Sequence, residues 1–190
     1  VLFNASSWNG LVVFFSEKSG KHGVALENSY FNRIRTFNIK ENGQEGIFMN
    51  QSSNNSLVAC PVIEKNGRNG ILMSFSHENR IANPQAIQAQ HFGEVSSNET
   101  GNISLNKRFG IRVENSHNNI FGPYHIRNNT LGGFSLLNAH QNVLGTFVIP
   151  ELALDDFFFV APVDVPHMCD IPRKLINENS GIGAEWVEAH

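Results

Sequence analysis

Apolar residues recur along this chain in short alternating runs, and the runs themselves recur. Aligned on Gly23, Gly46, Gly70, Gly110 and Gly133, the spacings are 23, 24, 40 and 23 residues. The next residue is apolar each time (Val24, Ile47, Ile71, Ile111, Phe134), and so is the one two further on (Leu26, Met49, Met73, Val113, Leu136). That alternation predicts a short strand with one buried face. Asparagine stands nine residues after each glycine, at Asn32, Asn55, Asn79, Asn119 and Asn142, and Asn9 extends the column backwards. Two residues beyond it comes a second apolar column: Leu11, Ile34, Leu57, Ile81, Phe121 and Leu144. A third is Ile39, Val62, Ala86, Ile126 and Ile149, and small residues fill a fourth: Ser29, Ser52, Ser76, Ser116 and Ala139.

Three short strands in each repeat, with no helical stretch between them, predict an all-β chain. It is a single-stranded right-handed parallel β-helix of about six coils, stacked at the strand spacing of ~4.8 Å. Like residues then form ladders along the axis. The Asn column is expected at a tight corner, because Asn tolerates left-handed φ. Its amide is also expected to bond its counterpart in the next coil. The glycine is expected to permit a sharp bend.

The repeats carry a resemblance. The run G-I-R-V-E-N-S-H-N-N at 110–119 and its kin G-V-A-L-E-N-S-Y-F-N at 23–32 resemble parallel β-helix repeats of the pectin-lyase-like superfamily and of NosD-type periplasmic proteins. The resemblance covers about Asn9 to Pro150 and implies the fold. For activity it implies polysaccharide lyases, hydrolases or epimerases, whose members place carboxylates, basic residues or calcium on one outer face. Here no Asp precedes Asp155, and Glu27, Glu78 and Glu114 fall in different columns or distant coils. Neither a calcium site, which wants several carboxylates together, nor a pair of acids at hydrolase spacing is expected in the coils. No cofactor and no metal site is expected.

Two segments depart from the period. The step from Gly70 to Gly110 holds 17 residues more than a 23-residue coil, and an inserted loop is placed at about 83–109. The period is read as ending at Pro150, which gives coils over 1–150 and a non-repetitive C-terminal cap or tail over 151–190. Phe157, Phe158 and Phe159 would cover the last coil. Trp8 and Trp186 are read as outside the repeats; either could stack on a sugar, although packing at the ends is the plainer expectation.

Composition adds exclusions. Charged residues are 16% of the chain against ~25% on average, and the net charge is -3. That lacks the basic footprint of a nucleic-acid binder. No apolar run has the ~20 residues of a membrane span. Cys60 and Cys169 form no disulfide framework and are expected as buried thiols. The surface is rich in Asn, Ser, Gly and Gln, which suits an extracellular or virion-associated protein. Six Asn-x-Ser/Thr sequons occur at Asn4, Asn50, Asn54, Asn98, Asn102 and Asn128, and several of them arise by chance in so Asn-rich a chain.

Two sets of residues are candidates for chemistry. Seven positions after the glycines, the column reads Tyr30, Ser53, His77, His117, His140. With the insertion looped out, the three His lie in successive coils, about 5 Å apart. Neutral His there can act as a base or bind a sugar, although a solvent-facing stack is the plainer expectation. A straight ladder converges on no tetrahedral metal centre. The second set is Arg112, Glu114, Tyr124, His125 and Arg127, with Lys107 and Arg108 entering the same coil. Alternation sends Arg112, Glu114, His125 and Arg127 outward, where Arg could grip a carboxylate. An ordinary polar outer face is the plainer expectation there, and the pairs could also lie on different faces. The candidate catalytic residues are His117, His125 and Arg127; those for substrate binding are Arg112, Glu114, Tyr124, His77 and His140. The expected partner is a polysaccharide or glycan, with other subunits or domains of a larger assembly as a further possibility. A structural β-helix of a tail spike, capsid component or adhesin is the alternative.

Overall fold

The computed structural model describes residues 1–58, 62–82, 101–122, 124–144 and 157–160. Among them every regular element is a strand, and every pairing between strands is parallel. In chain order the strands are β1 (Leu2–Asn4), β2 (Gly10–Glu17), β3 (Val24–Glu27), β4 (Arg33–Lys40), β5 (Ile47–Asn50), β6 (Ser56–Val58), β7 (Val62–Glu64), β8 (Ile71–Ser74), β9 (Arg80–Ala82), β10 (Gly101–Ser104), β11 (Phe109–Glu114), β12 (Ile120–Phe121), β13 (Tyr124–Arg127), β14 (Gly132–Leu137), β15 (Val143–Leu144) and β16 (Phe157–Val160).

They form two sheets. A 7-stranded sheet has the order β1-β3-β5-β8-β11-β14-β16, one strand per coil. A 9-stranded sheet carries the rest. In that second sheet β4 runs unbroken, pairing with β6 through its first half and with β7 through its second. Two faces of the coil are therefore continuous at this level.

In the first sheet the registers follow the glycine alignment: Ala25 pairs with Phe48, Ile47 with Ile71, Ile71 with Ile111 and Ile111 with Phe134. The third apolar column is corrected: Ile39 pairs with Ile63, Ile63 with Ile103 and Ile103 with Ile126, while Val62 pairs with Asn38 and is only half-buried. The alternating apolar positions fill the space between the sheets. Ile47, Met49, Ile71, Met73, Ile111 and Val113 from the first sheet meet Ile34, Leu57, Ile63, Ile81, Ile103 and Phe121 from the second, all fully buried. Each such side chain contributes about 1.5–3 kcal/mol by burial, so the core is a column of similar small contributions.

The corners are set by backbone. Left-handed φ recurs in three columns: Asn28, Gln51, Phe75, Asn115, Asn138; Phe31, Asn54, Glu78, Asn118, Gln141; and Lys18, Glu41, Lys65, Leu105, Asn128. The expected role of the Asn column is corrected here. The left-handed residue is the one before each Asn, and from Asn32 to Asn142 the Asn itself is buried. Its amide does form the ladder: Asn55 Nδ2 donates to Asn79 Oδ1 at 3.1 Å, and Asn79 Nδ2 to Asn119 Oδ1 at 3.2 Å. The same oxygens accept the backbone N–H of the preceding coil. The glycine column is corrected too. These glycines have no left-handed φ, but a Cβ on Gly46 would stand 2.7 Å from the Gly70 carbonyl oxygen and 2.7 Å from Ile63 Cγ2. Close approach of neighbouring coils, rather than a bend, demands glycine there.

Two further ladders run along the axis. Ser19, Asn42, Asn66, Asn106 and Asn129 repeat the asparagine arrangement at another corner. Ser52, Ser76 and Ser116 each accept the N–H of the serine one coil earlier and donate to a carbonyl two residues back.

The insertion leaves these ladders in register, since Asn66 meets Asn106 and Asn79 meets Asn119 across 40 residues. Strand β10 pairs with β7 and β13. The extra residues therefore lie between Ala82 and Gly101, which narrows the interval of 83–109; residues 83–100 are outside the described set. Strand β16 pairs with β14 in the 23-residue register, Phe134 against Phe157 and Leu136 against Phe159. The repeat thus continues one strand beyond Pro150, into the stretch read from the sequence as cap. The rest of 151–190 lies outside the described residues, as do Cys60, Cys169 and Trp186.

Candidate functional site

The three His occupy successive coils at one corner, stacked face to face. Ring centroids are 5.0 Å apart for His77–His117 and 4.9 Å for His117–His140. All three are half-buried. The backbone N–H of His117 donates to His77 Nδ1 at 3.1 Å, and that of His140 donates to His117 Nδ1 at 3.2 Å. Below them the N–H of His77 donates to Ser53 Oγ. An Nδ1 that accepts a hydrogen bond carries no proton, so in the neutral ring Nε2 carries it. The His117 pKa is lowered, first by burial and then by the charges that His77 and His140 bring.

The second set is divided by the fold. Arg112 and Glu114 stand on β11 in the first sheet, whereas His125 and Arg127 stand on β13 in the second. The Arg112 guanidinium is paired with Glu114 through both Nε and Nη2, and it lies over the Phe109 ring. Its charge is already met within the strand. Arg127 is exposed, and the His125 side chain is outside the described set. Tyr124 is corrected: it is fully buried in the core and cannot meet a ligand on the outer face. The signal was its position 14 residues after Gly110, since Phe37 stands 14 residues after Gly23.

A surface that the sequence reading passed over lies on the second sheet near the first coils. Gly10, Leu11, Val12, Arg33, Arg35 and Val58 line an open groove of about 400 Å3. Val12 pairs with Arg35, and Arg35 with Val58, so apolar side chains alternate with cations across the strands. Arg33 and Arg35 are exposed, and neither pairs with a carboxylate among the described residues. The Arg35 guanidinium lies over the Phe37 ring at 5.2 Å. At the adjoining corner Trp8 and Phe31 stack in parallel, with centroids 4.5 Å apart. Trp8 is 77% exposed, and both aromatics hold left-handed φ, 62° and 56°. Trp8 is therefore a repeat residue, one coil before Phe31, and not an end-packing residue. A bulky side chain in that backbone region is strained, and such strain clusters at functional sites. The signal was present: two aromatics at 23-residue spacing in a column otherwise filled by Asn, Glu and Gln.

A third polar cluster lies just before the glycine column. The Glu45 carboxylate is buried, with Oε2 3.0 Å from His22 Nδ1 and Oε1 accepting from Asn69 Nδ2 at 3.4 Å. His22 stacks on Phe48. Burial alone would raise the Glu45 pKa; the hydrogen bond from His22, a backbone hydrogen bond and the charges of His22 and Arg68 together outweigh it and hold the carboxyl below its ordinary value.

A chain of parallel coils, with interior apolar columns and asparagine and serine ladders at the corners, is a right-handed parallel β-helix repeat protein. A family model described as "Periplasmic copper-binding protein (NosD)" matches residues 2–144, and the chain belongs to that family. No curated protein and no solved structure was found to match it. Copper, named in that description, binds an imidazole through a lone pair. In the His column the Nδ1 lone pairs of His77 and His117 are occupied by backbone N–H groups, which leaves the proton of each neutral ring on Nε2. These residues do not fit the metal. No other group of three or more His, Cys, Asp or Glu among the described residues is placed to hold one.

Proposed function

We propose that this protein is a glycan-binding β-helix module working in the periplasm or outside the cell, and that its ligand is an acidic polysaccharide seated in the Arg33–Arg35 groove. The observation that carries the reading is the adjacency of two unlike features. An exposed aromatic pair, Trp8 and Phe31, offers a flat surface for a sugar ring. Beside it Arg33 and Arg35, which pair with no carboxylate among the described residues, flank an apolar floor, suited to a carboxylate-bearing sugar that also packs its ring. The ladders supply a rigid backing, so little ordering is left for binding to accomplish. Recognition without bond cleavage is the reading favoured here, because no carboxylate stands among the described residues that line the groove.

The test is a panel of acidic and neutral polysaccharides, followed by calorimetry, Trp fluorescence, new reducing ends and unsaturated-uronate absorbance together. An acidic polymer should bind, quench Trp8 and remain uncut. The Arg33→Ala/Arg35→Ala double variant should lose about tenfold or more in affinity, equal to about 1.4 kcal/mol, while keeping its fold. Silence across the panel, or an affinity indifferent to both arginines, would overturn the assignment.

A further inference from the structure

The other inter-coil ladders hand a backbone N–H to an oxygen that does not titrate near neutrality: Asn79 N–H to Asn119 Oδ1, and Ser76 N–H to Ser116 Oγ. At the histidine corner the acceptor is an imidazole nitrogen instead, His77 Nδ1 for His117 and His117 Nδ1 for His140. We propose that this column is a proton-operated latch, which ties three coils together while the imidazoles are neutral and releases the corner when His117 or His77 takes up a proton.

Protonation turns Nδ1 from acceptor to donor. The ring would then face a backbone N–H with an N–H of its own, and the half-buried amide would lose its partner. The stacking sharpens the response, because neighbouring rings 4.9–5.0 Å apart cannot all charge without mutual repulsion. The charged and titratable groups at this corner are few. His77 and His140 flank His117, and both oppose its protonation. Glu78 follows His77 and is exposed, while Glu114 at the end of β11 is engaged by Arg112. Ser53, Asn118 and Gln141 complete the corner and do not titrate. Coil-to-coil bonding on either side, through Ser76, Asn79 and Asn119, is untouched by the proton. The opening is thus confined to the corner that carries the His column.

The experiment is residue-resolved amide hydrogen exchange on the full chain, expressed as protection factors so that the intrinsic effect of pH is removed. Between about pH 7.5 and about pH 5, across the range in which imidazole titrates, the His117 and His140 amides should lose about tenfold or more in protection. Those of Asn79 and Asn119 should hold theirs. In the His77→Asn/His117→Asn variant a side-chain oxygen replaces each nitrogen acceptor, and the selective loss should vanish. The latch is overturned if the His117 and His140 amides keep their protection at the lower pH, if Asn79 and Asn119 lose theirs equally, or if the double variant responds as the parent does. The parent protein alone decides the first two outcomes, whatever the fate of the variant.

Discussion

Replacing Asn79 with alanine takes one rung from the middle of the asparagine column. The side chain is fully enclosed, and its Nδ2 donates to Ser52 O at 2.8 Å and to Asn119 Oδ1 at 3.2 Å. Its Oδ1 accepts from Asn55 N at 2.9 Å and from Asn55 Nδ2 at 3.1 Å. Alanine removes all of these and strands two backbone groups, the Asn55 N–H and the Ser52 carbonyl, away from water. A buried group left without a partner costs about 1–3 kcal/mol, so the loss from these two should reach about 2–6 kcal/mol. Against a typical total of 5–15 kcal/mol, that is a large fraction of the stability. Urea unfolding followed by far-UV circular dichroism reads it as a drop in midpoint. Arg80→Ala, an exposed change one residue along, should change the stability by less than about 0.5 kcal/mol. A loss at Asn79 under about 1 kcal/mol, with an unchanged denaturant slope, would refute the view that the ladder holds the coils together.

The same structure makes two smaller predictions. Because Glu45 is held below its ordinary value of 4.5, the unfolded chain binds the proton more readily than the folded one; stability is present above that value and lost as the pH falls through the folded pKa. Glu45→Gln should flatten the acid limb of a pH–stability curve, and an unaltered limb would remove Glu45 from the account. Phe31→Asn should relieve about 1–2 kcal/mol of left-handed strain while giving up a ring stack of about 0.5–1.5 kcal/mol. Its thermal midpoint should therefore scarcely move while glycan affinity falls, and a loss of stability beyond about 2 kcal/mol would contradict the strain assignment.

The fold was legible because the same residue type returns at the same angular position in every coil. Glycine, asparagine and alternating apolar columns each state one geometric requirement, repeated. What escaped was whatever lost its column. The second asparagine ladder stands 19 residues after Gly23 and Gly110 but 20 after Gly46, since the coil from Gly46 is one residue longer, and Ser19 rather than Asn begins it. Strand β16 escaped because Asp156 stands where the glycine would be. The histidine stack was placed correctly, but its tautomer depends on whose N–H reaches Nδ1, which no spacing records. The groove was missed for a different reason. Arg33 and Arg35 were not among the candidate residues, and it takes the structure to show that no carboxylate among the described residues pairs with them.

The ladders that cross the insertion bear on how such a chain changes over generations. Each rung recognises its counterpart one storey up by its place at the corner, not by the number of residues in between. Genetic events that copy or delete a whole coil, or open one coil into a longer excursion, therefore leave every surviving rung with a suitable neighbour. Slippage in copying a repeated tract, ruinous to most globular proteins, becomes in this architecture a change of length.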